Sequence, residues 1–528
     1  MPEYLAPGVY VEEISTGPRP IEGVGTSTAG MVGLTERGPE RPTLVTGWLH
    51  FQRVFGSYVN NSYLAYAVQG FFDNGGQRCF IGRVVGQGDG DAAISATGEV
   101  GGLNVSAIGR GTWGNRVRVR VTPVEANPNT PNATPRFNVA ILYYTTPPPE
   151  PFVDPLSARP QDLRDPNRRE PDAPPELFTD LTAIPGDSNN AATIINSRSN
   201  LVRVAWPDPA AMALADSGGY VLLEGGAEAD AITNDYIGDT NALGGNEELY
   251  GRGRGLEGLA LVDDIAILLA PDQARAELYD TLTGEVIEQC ELLKDRFAVL
   301  SAQQGEANVA NLRPPNDTLY AGFYYPWITV FDAINNRRML IPPAGHVAGI
   351  MARTDIERGV HKAPANEVVR GALDLEFPIT KGMQDLLNPR GVNCIRDFRA
   401  DGRGIRLWGA RTMSSDPMWK YVNVRRLFIF VEESIDQGTQ WVVFEPNDFA
   451  TWAAVARTIT NFLTTVWRSG ALMGLTAGEA FFVKCDRTTM TQDDIDNGRL
   501  ICYIGIAPVK PAEFVIFRIS QKTMEEAS

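Results

Sequence analysis

Residues 259–301 read LALVDDIAILLAPDQARAELYDTLTGEVIEQCELLKDRFAVLS and carry the pattern of one β-α-β unit. The apolar run Leu259–Leu269 predicts a buried strand, residues 273–294 predict a helix, and residues 298–301 predict a second strand. Strands that alternate with helices are typical of a mostly parallel sheet covered by helices. The alternation extends through residues 219–395, for which we expect an α/β domain.

The segment before this domain also mixes both element types. Thr28–Leu34 and Cys79–Val85 predict strands, and Tyr63–Phe72 predicts a helix between them. Residues 23–95 are therefore predicted to be α/β in character.

Residues 96–218 have a different pattern. Apolar residues recur at every second position, at 117, 119 and 121 and again at 137, 139 and 141, which predicts half-buried strands. A Pro-rich, charged stretch at 147–175 predicts a long loop. We expect a small inserted β-rich domain.

The clearest predicted helix lies within residues 396–511. Asn447 or Asp448 can cap its start, and Gly470 ends it. Its apolar stripe consists of Phe449, Trp452, Val455, Ile459, Phe462, Leu463, Val466 and Trp467. Such a stripe usually packs into a core, and docking on a partner is the alternative.

Both ends of the chain contain short β-prone segments. The N-terminal segment contains Val9, Tyr10, Val11 and Glu12, and the C-terminal segment contains Phe514, Val515, Ile516, Phe517, Arg518 and Ile519. A strand leaves backbone hydrogen-bonding groups unsatisfied unless a sheet accepts it. Each segment can join a sheet of its own chain or be donated to a neighbouring copy, and the residues alone leave both interpretations open.

Composition excludes several classes of function. The 528-residue chain has a formal net charge of −17, and because such a surface repels phosphate backbones, we expect no nucleic-acid partner. The sequence contains no run of 18 apolar residues, so no direct membrane insertion is predicted. The first residues lack a basic and apolar signal, so Sec export is not predicted either.

Cysteine and histidine usage indicates neither disulfides nor metal. The five cysteines are odd in number and widely spaced, which predicts free thiols in a reducing cytosol; they are Cys79, Cys290, Cys394, Cys485 and Cys502. The three histidines, His50, His346 and His361, do not have the spacing of a metal site. We expect no metal and no cofactor.

Residues 253–258 read GRGLEG and match the glycine pattern of dinucleotide-binding loops. That function requires a strand before the glycines and a helix after them. Here a polar loop precedes them and the predicted strand Leu259–Leu269 follows, so a turn is the better interpretation.

Two short segments are similar to parts of subtilisin-type proteases. Residues 25–29 read GTSTA, like the surroundings of a nucleophilic serine, and residues 345–349 read GHVAG, like the stretch after a catalytic histidine. The two occur in the wrong order for that family, and Pro343 occupies the position of the general base. Without a base the Ser27 hydroxyl stays weakly nucleophilic, so we expect that the protein is not an enzyme. A serine hydrolase is retained as an alternative.

Basic residues are concentrated between positions 390 and 426. The nine are Arg390, Arg396, Arg399, Arg403, Arg406, Arg411, Lys420, Arg425 and Arg426, against the three acidic residues Asp397, Asp401 and Asp416. They can pair with carboxylates elsewhere in the fold. Alternatively, Arg403, Arg406, Arg411, Arg425 and Arg426 form a basic patch that faces a tube or a neighbouring subunit.

Several strings along the chain resemble phage tail sheath proteins, in the order of that family. They are YLAPGVYVEE at 4–13, GVGTSTA at 23–29, FFDNGG at 71–76, KAPAN at 362–366, LWGARTM at 407–413, YVNVRRL at 421–427, FEPN at 444–447, FFVKCD at 481–486 and APVKPAEF at 507–514. The set extends over nearly the whole chain.

This resemblance implies a multi-domain α/β architecture with a subtilisin-like domain that lacks catalytic residues. The implied parts are an N-terminal arm (1–22), the N-terminal part of a sheath core (23–95), the inserted β-rich domain (96–218), the subtilisin-like domain (219–395), the C-terminal sheath core domain (396–511) and a C-terminal arm (512–528). In this scheme the N- and C-terminal core parts fold together, and the arms are strands donated to neighbouring subunits.

The resemblance also implies a function and its partners. Family members are structural subunits that form a helical stack of rings around an inner tube, with baseplate and cap proteins as further partners, and contract to drive the tube through a target membrane. It implies assembly in the bacterial cytoplasm, as part of a phage tail or of a contractile injection particle that some cells release. A static particle coat protein is the other alternative.

Overall fold

The computed structural model describes residues 20–88, 93–125, 135–209, 212–242, 247, 251–332 and 335–518. The chain divides into two compact units. One unit contains residues 25–426, and the described part of the other contains residues 20–24 and 427–518. The boundary falls within the helix Val422–Thr439.

A nine-stranded sheet lies at the centre of residues 25–426. Its strands, in spatial order, are Glu367–Val368, Ile405–Leu407, Val392–Asp397, Ala321–Tyr325, Phe297–Ser301, Ile267–Leu269, Ala29–Leu34, Cys79–Val84 and Thr43–Val45. All neighbouring pairs from Val392–Asp397 to Cys79–Val84 are parallel, and the outer pairs are antiparallel. The prediction of a mostly parallel sheet is confirmed.

The two faces of this sheet are covered by different helices. Because side chains alternate along a strand, neighbouring residues point to opposite faces. Val32 and Leu300 point into a buried apolar cluster that includes residues of helix Tyr279–Leu293. On the other face, Gly33 lies against the start of helix Leu64–Asp73.

Helix Leu64–Asp73 makes an unusually close contact with helix Ala344–Arg358. A Cβ atom at Gly349 would lie 2.4 Å from the carbonyl oxygen of Phe71, and one at Gly345 would lie 2.4 Å from the opposing backbone. The absence of a side chain at both positions lets the two helix backbones touch. These glycines therefore set the distance between the helices.

The other elements of this unit are short. Further helices in its described ranges are Trp48–Phe55, Thr233–Ile237, Gly255–Ala260 and Lys381–Leu387, with 3-10 turns at Pro271–Ala274, Asn388–Arg390 and Arg399–Asp401. One small sheet contains Arg337–Ile341, Ile328–Asp332 and Asp374–Leu375, and another pairs Asp239–Ala242 with Arg252–Arg254.

The inserted β-rich region has a buried core of its own. One sheet contains Val221–Leu222, Val117–Pro123, Phe137–Tyr143 and Glu176–Leu181, and the other contains Thr97–Val100, Leu103–Ala107 and Val202–Ala205. The helices of this region are Pro160–Leu163 and Ala191–Arg198, and a 3-10 turn lies at Thr112–Arg116. The alternating strands predicted from positions 117–121 and 137–141 are confirmed. In the Pro-rich loop, Arg168 donates hydrogen bonds to the carbonyl groups of Pro155 and Ser157, so the loop is tied to itself.

The second unit is built on helix Phe449–Arg468, with helices Ala477–Ala480 and Gln492–Asp496, a 3-10 turn at Gln440–Val442 and strands Phe481–Lys484 and Tyr503–Ile506. Asp448 caps the long helix by accepting a hydrogen bond from the Thr451 N–H at 2.9 Å. Trp452, Ile459 and Leu463 are buried, which confirms the middle of the predicted core-facing stripe. Its first residue, Phe449, is 74% exposed, so the prediction is wrong there. Among the helices of the described ranges, none is long and apolar enough to cross a membrane.

The predicted strand Leu259–Leu269 is wrong. Its first residues belong to helix Gly255–Ala260, and the strand is Ile267–Leu269. Leu259 reaches the core from the helix, whereas Asp263 and Asp264 lie in an exposed turn that divides the apolar run.

The glycine motif at 253–258 is correspondingly misjudged, because it is not a turn that leads into a strand. Its first two residues end strand Arg252–Arg254 and its last four begin helix Gly255–Ala260. This strand is antiparallel to its partner and is not part of a parallel β-α-β unit. A Cβ atom at Gly253 would lie 2.7 Å from the Gly258 Cα atom. The glycines therefore permit the chain to fold back closely on itself.

The expected grouping of residues 23–95 with the C-terminal region also differs from the structure. Ala29–Leu34 and Cys79–Val84 belong to the same sheet as Ile267–Leu269, because parallel pairing on both sides satisfies the backbone of Ala29–Leu34. Of the described residues before Gly25, residues 20–24 lie with the C-terminal unit, which begins at Leu427 rather than at residue 396.

We predict that Gly349→Ala lowers the free energy of unfolding by about 1–3 kcal/mol, because the new methyl group must push the two helix backbones apart. Gly284→Ala is the matched control, since Gly284 lies inside helix Tyr279–Leu293 and a Cβ atom added there would have no atom within 4 Å. This control should gain about 0.5–1 kcal/mol from helix propensity. Urea unfolding measures both, and equal effects of the two substitutions would contradict the close contact.

Candidate assembly site

A two-stranded antiparallel sheet in the C-terminal unit has open edges. Phe482 pairs with Gly505 and Lys484 with Tyr503. Within the residues that the structure describes, neither strand has a second strand partner. An open edge presents unpaired N–H and C=O groups, and a sheet of two strands is marginally stable. This sheet can therefore accept further strands.

The C-terminal tail leaves the unit close to this sheet. Val509 N–H donates to the Ala471 carbonyl group at 3.1 Å, which fixes the chain just before the tail. Beyond it, Phe514, Val515, Ile516 and Phe517 are between 67% and 82% exposed. Residues 514–518 form neither helix nor strand. The predicted strand is thus not formed in this part of the isolated chain, and a continuous apolar segment faces solvent.

The remaining predicted arm residues are Val9, Tyr10, Val11, Glu12 and Ile519, which lie outside the described residues. Strand donation by the N-terminal segment stays a prediction. The structural support for strand donation therefore comes from the C-terminal tail.

The predicted basic patch does not exist as a single surface. Arg411, Arg425 and Arg426 are all buried. Arg403 is exposed and Arg406 is half-buried, and both donate hydrogen bonds to Asn366. The excess of basic residues at positions 390–426 was visible in the sequence, but the sequence did not show which of these side chains are buried.

Each buried arginine has a specific internal partner. Arg426 makes a bidentate ion pair with Asp355 at 3.0 and 2.7 Å, and both side chains are 3% exposed. The Arg425 guanidinium stacks 4.8 Å from the ring centres of Tyr320 and Trp419. Arg411 Nη1 donates to the Asn388 carbonyl group at 2.9 Å. Arg426 thus pairs with a carboxylate elsewhere in the fold, as one of the two interpretations predicted, whereas Arg425 contacts aromatic rings and Arg411 a backbone carbonyl group.

His346, the centre of the protease-like segment, is buried at the contact between the two close helices. A Cβ atom at Gly70 would lie 2.3 Å from its ring. Its Nδ1 atom has no hydrogen-bond partner among the described residues, and burial lowers the pKa of His346 to about 4. The imidazole fills the helix contact and has no hydrogen bond to Ser27 in the described structure.

Two of the sheath-like strings are held in place by hydrogen bonds between a buried asparagine side chain and a backbone peptide group. In FFDNGG, Asn74 donates to the Arg370 carbonyl group at 3.0 Å and accepts from the Arg370 N–H at 2.9 Å. In LWGARTM, Arg411 exchanges the same pair of hydrogen bonds with Asn393, both at 2.7 Å. A Cβ atom at Gly409 would collide with Asn393 at 2.9 Å. These strings thus join distant chain segments.

Sequence reasoning gave no indication of this bridging role. It also missed that Cys485 and Cys502 lie beside each other at the end of the two-stranded sheet. No group of three or more His, Cys, Asp or Glu side chains suited to a metal ion occurs among the described residues.

Family models match the chain over two adjoining regions. The model of the phage tail sheath protein central domain matches residues 254–413, and that of the phage tail sheath C-terminal domain matches residues 414–522. Together they cover about half of the chain. The chain belongs to the phage tail sheath protein family. The recognition based on the sequence strings is confirmed.

Individual sheath proteins are similar to the chain at moderate identity. The tail sheath protein of Vibrio phage KVP40 is 25% identical over 323 residues, which cover 57% of this chain and 46% of that protein. A putative prophage major tail sheath protein of Pseudomonas aeruginosa is 27% identical over 245 residues, 42% of this chain and 61% of that protein. The chain thus spans about half the length of the curated sheath proteins it matches.

Solved sheath structures share the fold. The sheath of an extracellular contractile injection system, PVC, in its contracted state is 21% identical, covers 100% of both chains and gives a TM-score of 0.57. The sheath tail protein of Listeria innocua is 10% identical, covers 93% of this chain and 96% of that one, and gives a TM-score of 0.58. At these identities the likeness establishes a sheath-type fold. It does not confirm the subtilisin-like detail.

We predict that Arg426→Leu costs about 3–5 kcal/mol of stability, because it leaves the Asp355 carboxylate buried without a counter-ion. Arg399→Ala, which removes largely exposed ion pairs with Asp374 and Asp397, should cost about 1 kcal/mol or less. Combining Arg426→Leu with Asp355→Leu should recover part of the loss. Thermal and urea unfolding of the three variants test this, and equal losses for the two single variants would refute the buried pair.

The pH dependence of stability should carry a contribution from His346. Its pKa is about 4 when folded against an ordinary 6.5, so the unfolded chain binds the proton more tightly. This contribution is complete above about pH 6.5 and is lost as the pH falls towards 4, by up to about 3 kcal/mol. His346→Gln should flatten the urea-unfolding profile between pH 7 and pH 4.5. His50→Gln removes a partly exposed histidine whose pKa burial lowers by less, so it should flatten the profile less. Identical profiles for His346→Gln and the unmodified protein would contradict the prediction.

Proposed function

We propose that this sheath-family protein is a structural subunit that polymerises helically around an inner tube and contracts to drive the tube through a target membrane. The exposed segment Phe514–Phe517 next to the open two-stranded sheet is the observation that carries the proposal. An isolated chain leaves the apolar tail in water and the sheet edges unpaired. A polymer in which each tail adds a strand to a neighbour's sheet removes the apolar tail from water and pairs the sheet edge.

The proposed partners are further copies of the chain, an inner tube protein, and baseplate and cap proteins. Similar solved structures include a sheath complex in the contracted state and a baseplate of the anti-feeding prophage. We transfer these roles by analogy of fold. The free thiols of all five cysteines support assembly in a reducing compartment such as the bacterial cytoplasm.

Two further elements fit this arrangement. The N-terminal segment Val9–Glu12 is proposed as a second donated strand, on the basis of its β-prone sequence. Arg403 and Arg406 remain candidates for contact with an acidic surface of a neighbouring subunit. The buried Arg411, Arg425 and Arg426 take no part in such a contact.

The driving force for contraction is a gain in contact between subunits. If contraction buries about 40 Å² more apolar surface per subunit, the gain is about 1 kcal/mol for each copy. Summed over the many copies in one sheath, such small gains add to a large total. The donated strands keep neighbours joined while the rigid units move.

A static coat protein is distinguished from a contractile sheath by its lattices. Electron microscopy of the protein expressed alone and then with its neighbouring genes should show wide hollow tubes in the first sample and longer, narrower sheaths around a core in the second. One lattice in both samples would favour the static coat. No feature of the described residues favours the hydrolase alternative, which a serine-reactive probe with a Ser27→Ala control would reveal.

We predict that removal of residues 512–528 abolishes tube formation but leaves a folded monomer, because residues 514–518 form no strand within their own chain. Circular dichroism and thermal unfolding measure the fold, and negative-stain microscopy measures assembly. Normal tubes from the truncated protein would refute strand donation by the tail.

A matched pair of substitutions separates strand pairing from apolar contact. Val515→Pro removes a backbone N–H, and Val515→Thr keeps both that group and a β-branched side chain. The proline variant should lose assembly and the threonine variant should retain it. Equal behaviour of the two would mean that the tail does not act as a paired strand.

A further inference from the structure

Cys485 and Cys502 occupy facing positions at one end of the two-stranded sheet. Lys484 pairs with Tyr503 in the antiparallel register, so the next facing pair is Cys485 and Cys502. The Cys502 thiol lies within hydrogen-bonding reach of the Cys485 thiol and of the Lys484 backbone. Directly facing residues have Cβ atoms about 4.5–5.5 Å apart, and a disulfide needs about 3.5–4.5 Å. A small closing movement therefore brings the two sulfur atoms into bonding distance.

The surroundings of the two thiols differ in a way that orders their reactions. Cys485 is buried against Trp452 and Met490, whereas Cys502 is partly exposed. A reagent in solution therefore reaches Cys502 first, and Cys485 can attack only from inside. The other three cysteines, Cys79, Cys290 and Cys394, are buried in the other unit and lack this access.

We propose that Cys485 and Cys502 form a redox-sensitive pair, which low-molecular-weight disulfides such as oxidised glutathione convert into an intramolecular disulfide. The Cys502 thiolate attacks oxidised glutathione, forms a mixed disulfide and releases one glutathione thiolate. The Cys485 thiolate then attacks the Cys502 sulfur, which forms the Cys485–Cys502 bond and releases the second glutathione. Two protein thiols are oxidised, one glutathione disulfide is reduced, and the two thiol protons pass to the released thiolates.

The bond closes the loop of residues 486–501 at the end of the sheet. This loop is already organised by a capping box in which Thr491 and Asp494 exchange hydrogen bonds, and by an ion pair between Arg499 and Asp493. A covalent closure restricts the unfolded loop and so favours the folded hairpin. The inference concerns the chemistry of this hairpin and holds whether or not the chain assembles as proposed.

Burial raises the pKa of Cys485 to about 12 and also raises the pKa of Cys502. Because the thiolate is the reacting form, the exchange is slow at neutral pH and accelerates as the pH rises. The reaction is therefore best followed at two pH values, about 7 and about 8.5.

The test treats the full-length native protein with oxidised glutathione and analyses a non-reducing tryptic digest by mass spectrometry. The expected product is residues 485–487 joined to residues 500–518, with Cys79, Cys290 and Cys394 unmodified and the link removed by dithiothreitol. Unmodified Cys79, Cys290 and Cys394 also show that the protein stayed folded.

Single variants identify the order of the steps. Cys485→Ser should stop at a stable glutathione adduct on Cys502, and Cys502→Ser should leave Cys485 unmodified. A lasting Cys502 adduct in the unmodified protein would overturn the proposal, because the sulfur atoms would then be unable to meet. Links that involve Cys79, Cys290 or Cys394, or thiols that remain free at pH 8.5, would overturn it as well.

Discussion

Parallel pairing between strands that are far apart in the sequence is the constraint on which residues 25–426 depend. Ala29–Leu34 pairs with Cys79–Val84 on one side and with Ile267–Leu269 on the other. Parallel strands cannot be joined by a tight turn, so the chain must leave the sheet and return to it. The connection between residues 84 and 267 contains the inserted β-rich region with its own core. An insert of this size is tolerated because the sheet fixes both of its ends.

Asparagine side chains hold several of these connections in place. An amide carries one acceptor and one donor group in the same plane, so it can pair with a backbone peptide as a strand would. Reciprocal pairs of this kind join Asn74 to Arg370, Asn115 to Gly226, Asn196 to Val204 and Asn393 to Arg411. Two of these asparagines hold strings by which the family was recognised. These two strings therefore identify a sheath protein through its internal scaffold.

Sequence patterns predicted the elements whose signals are local. The helix Phe449–Arg468 has a cap and a continuous stripe, and the parallel sheet follows from alternating strands and helices. The run Leu259–Leu269 was misread because a helix and a strand contribute apolar residues to the same core. Apolar character alone therefore does not distinguish a helix from a strand. Burial of Arg425 and Arg426 depends on the Tyr320 ring and the Asp355 carboxylate, which lie far from them in the sequence. Cys485 and Cys502 lie close together because of the register between strands Phe481–Lys484 and Tyr503–Ile506. The number of residues between the two cysteines does not reveal this register.

The composition of the tail places a condition on the proposed assembly. Side chains alternate along a strand, so Phe514 and Ile516 would point to one face and Val515 and Phe517 to the other. All four are apolar, which is typical of a strand covered on both faces rather than of one with a solvated side. The accepting sheet already packs one face against helix Phe449–Arg468, whereas Phe482 and Tyr503 on the other face are 59% and 57% exposed. In a sheath, a neighbouring subunit must therefore cover this outer face as well as pair with the sheet edge. Strand donation and face-to-face packing between subunits thus require each other.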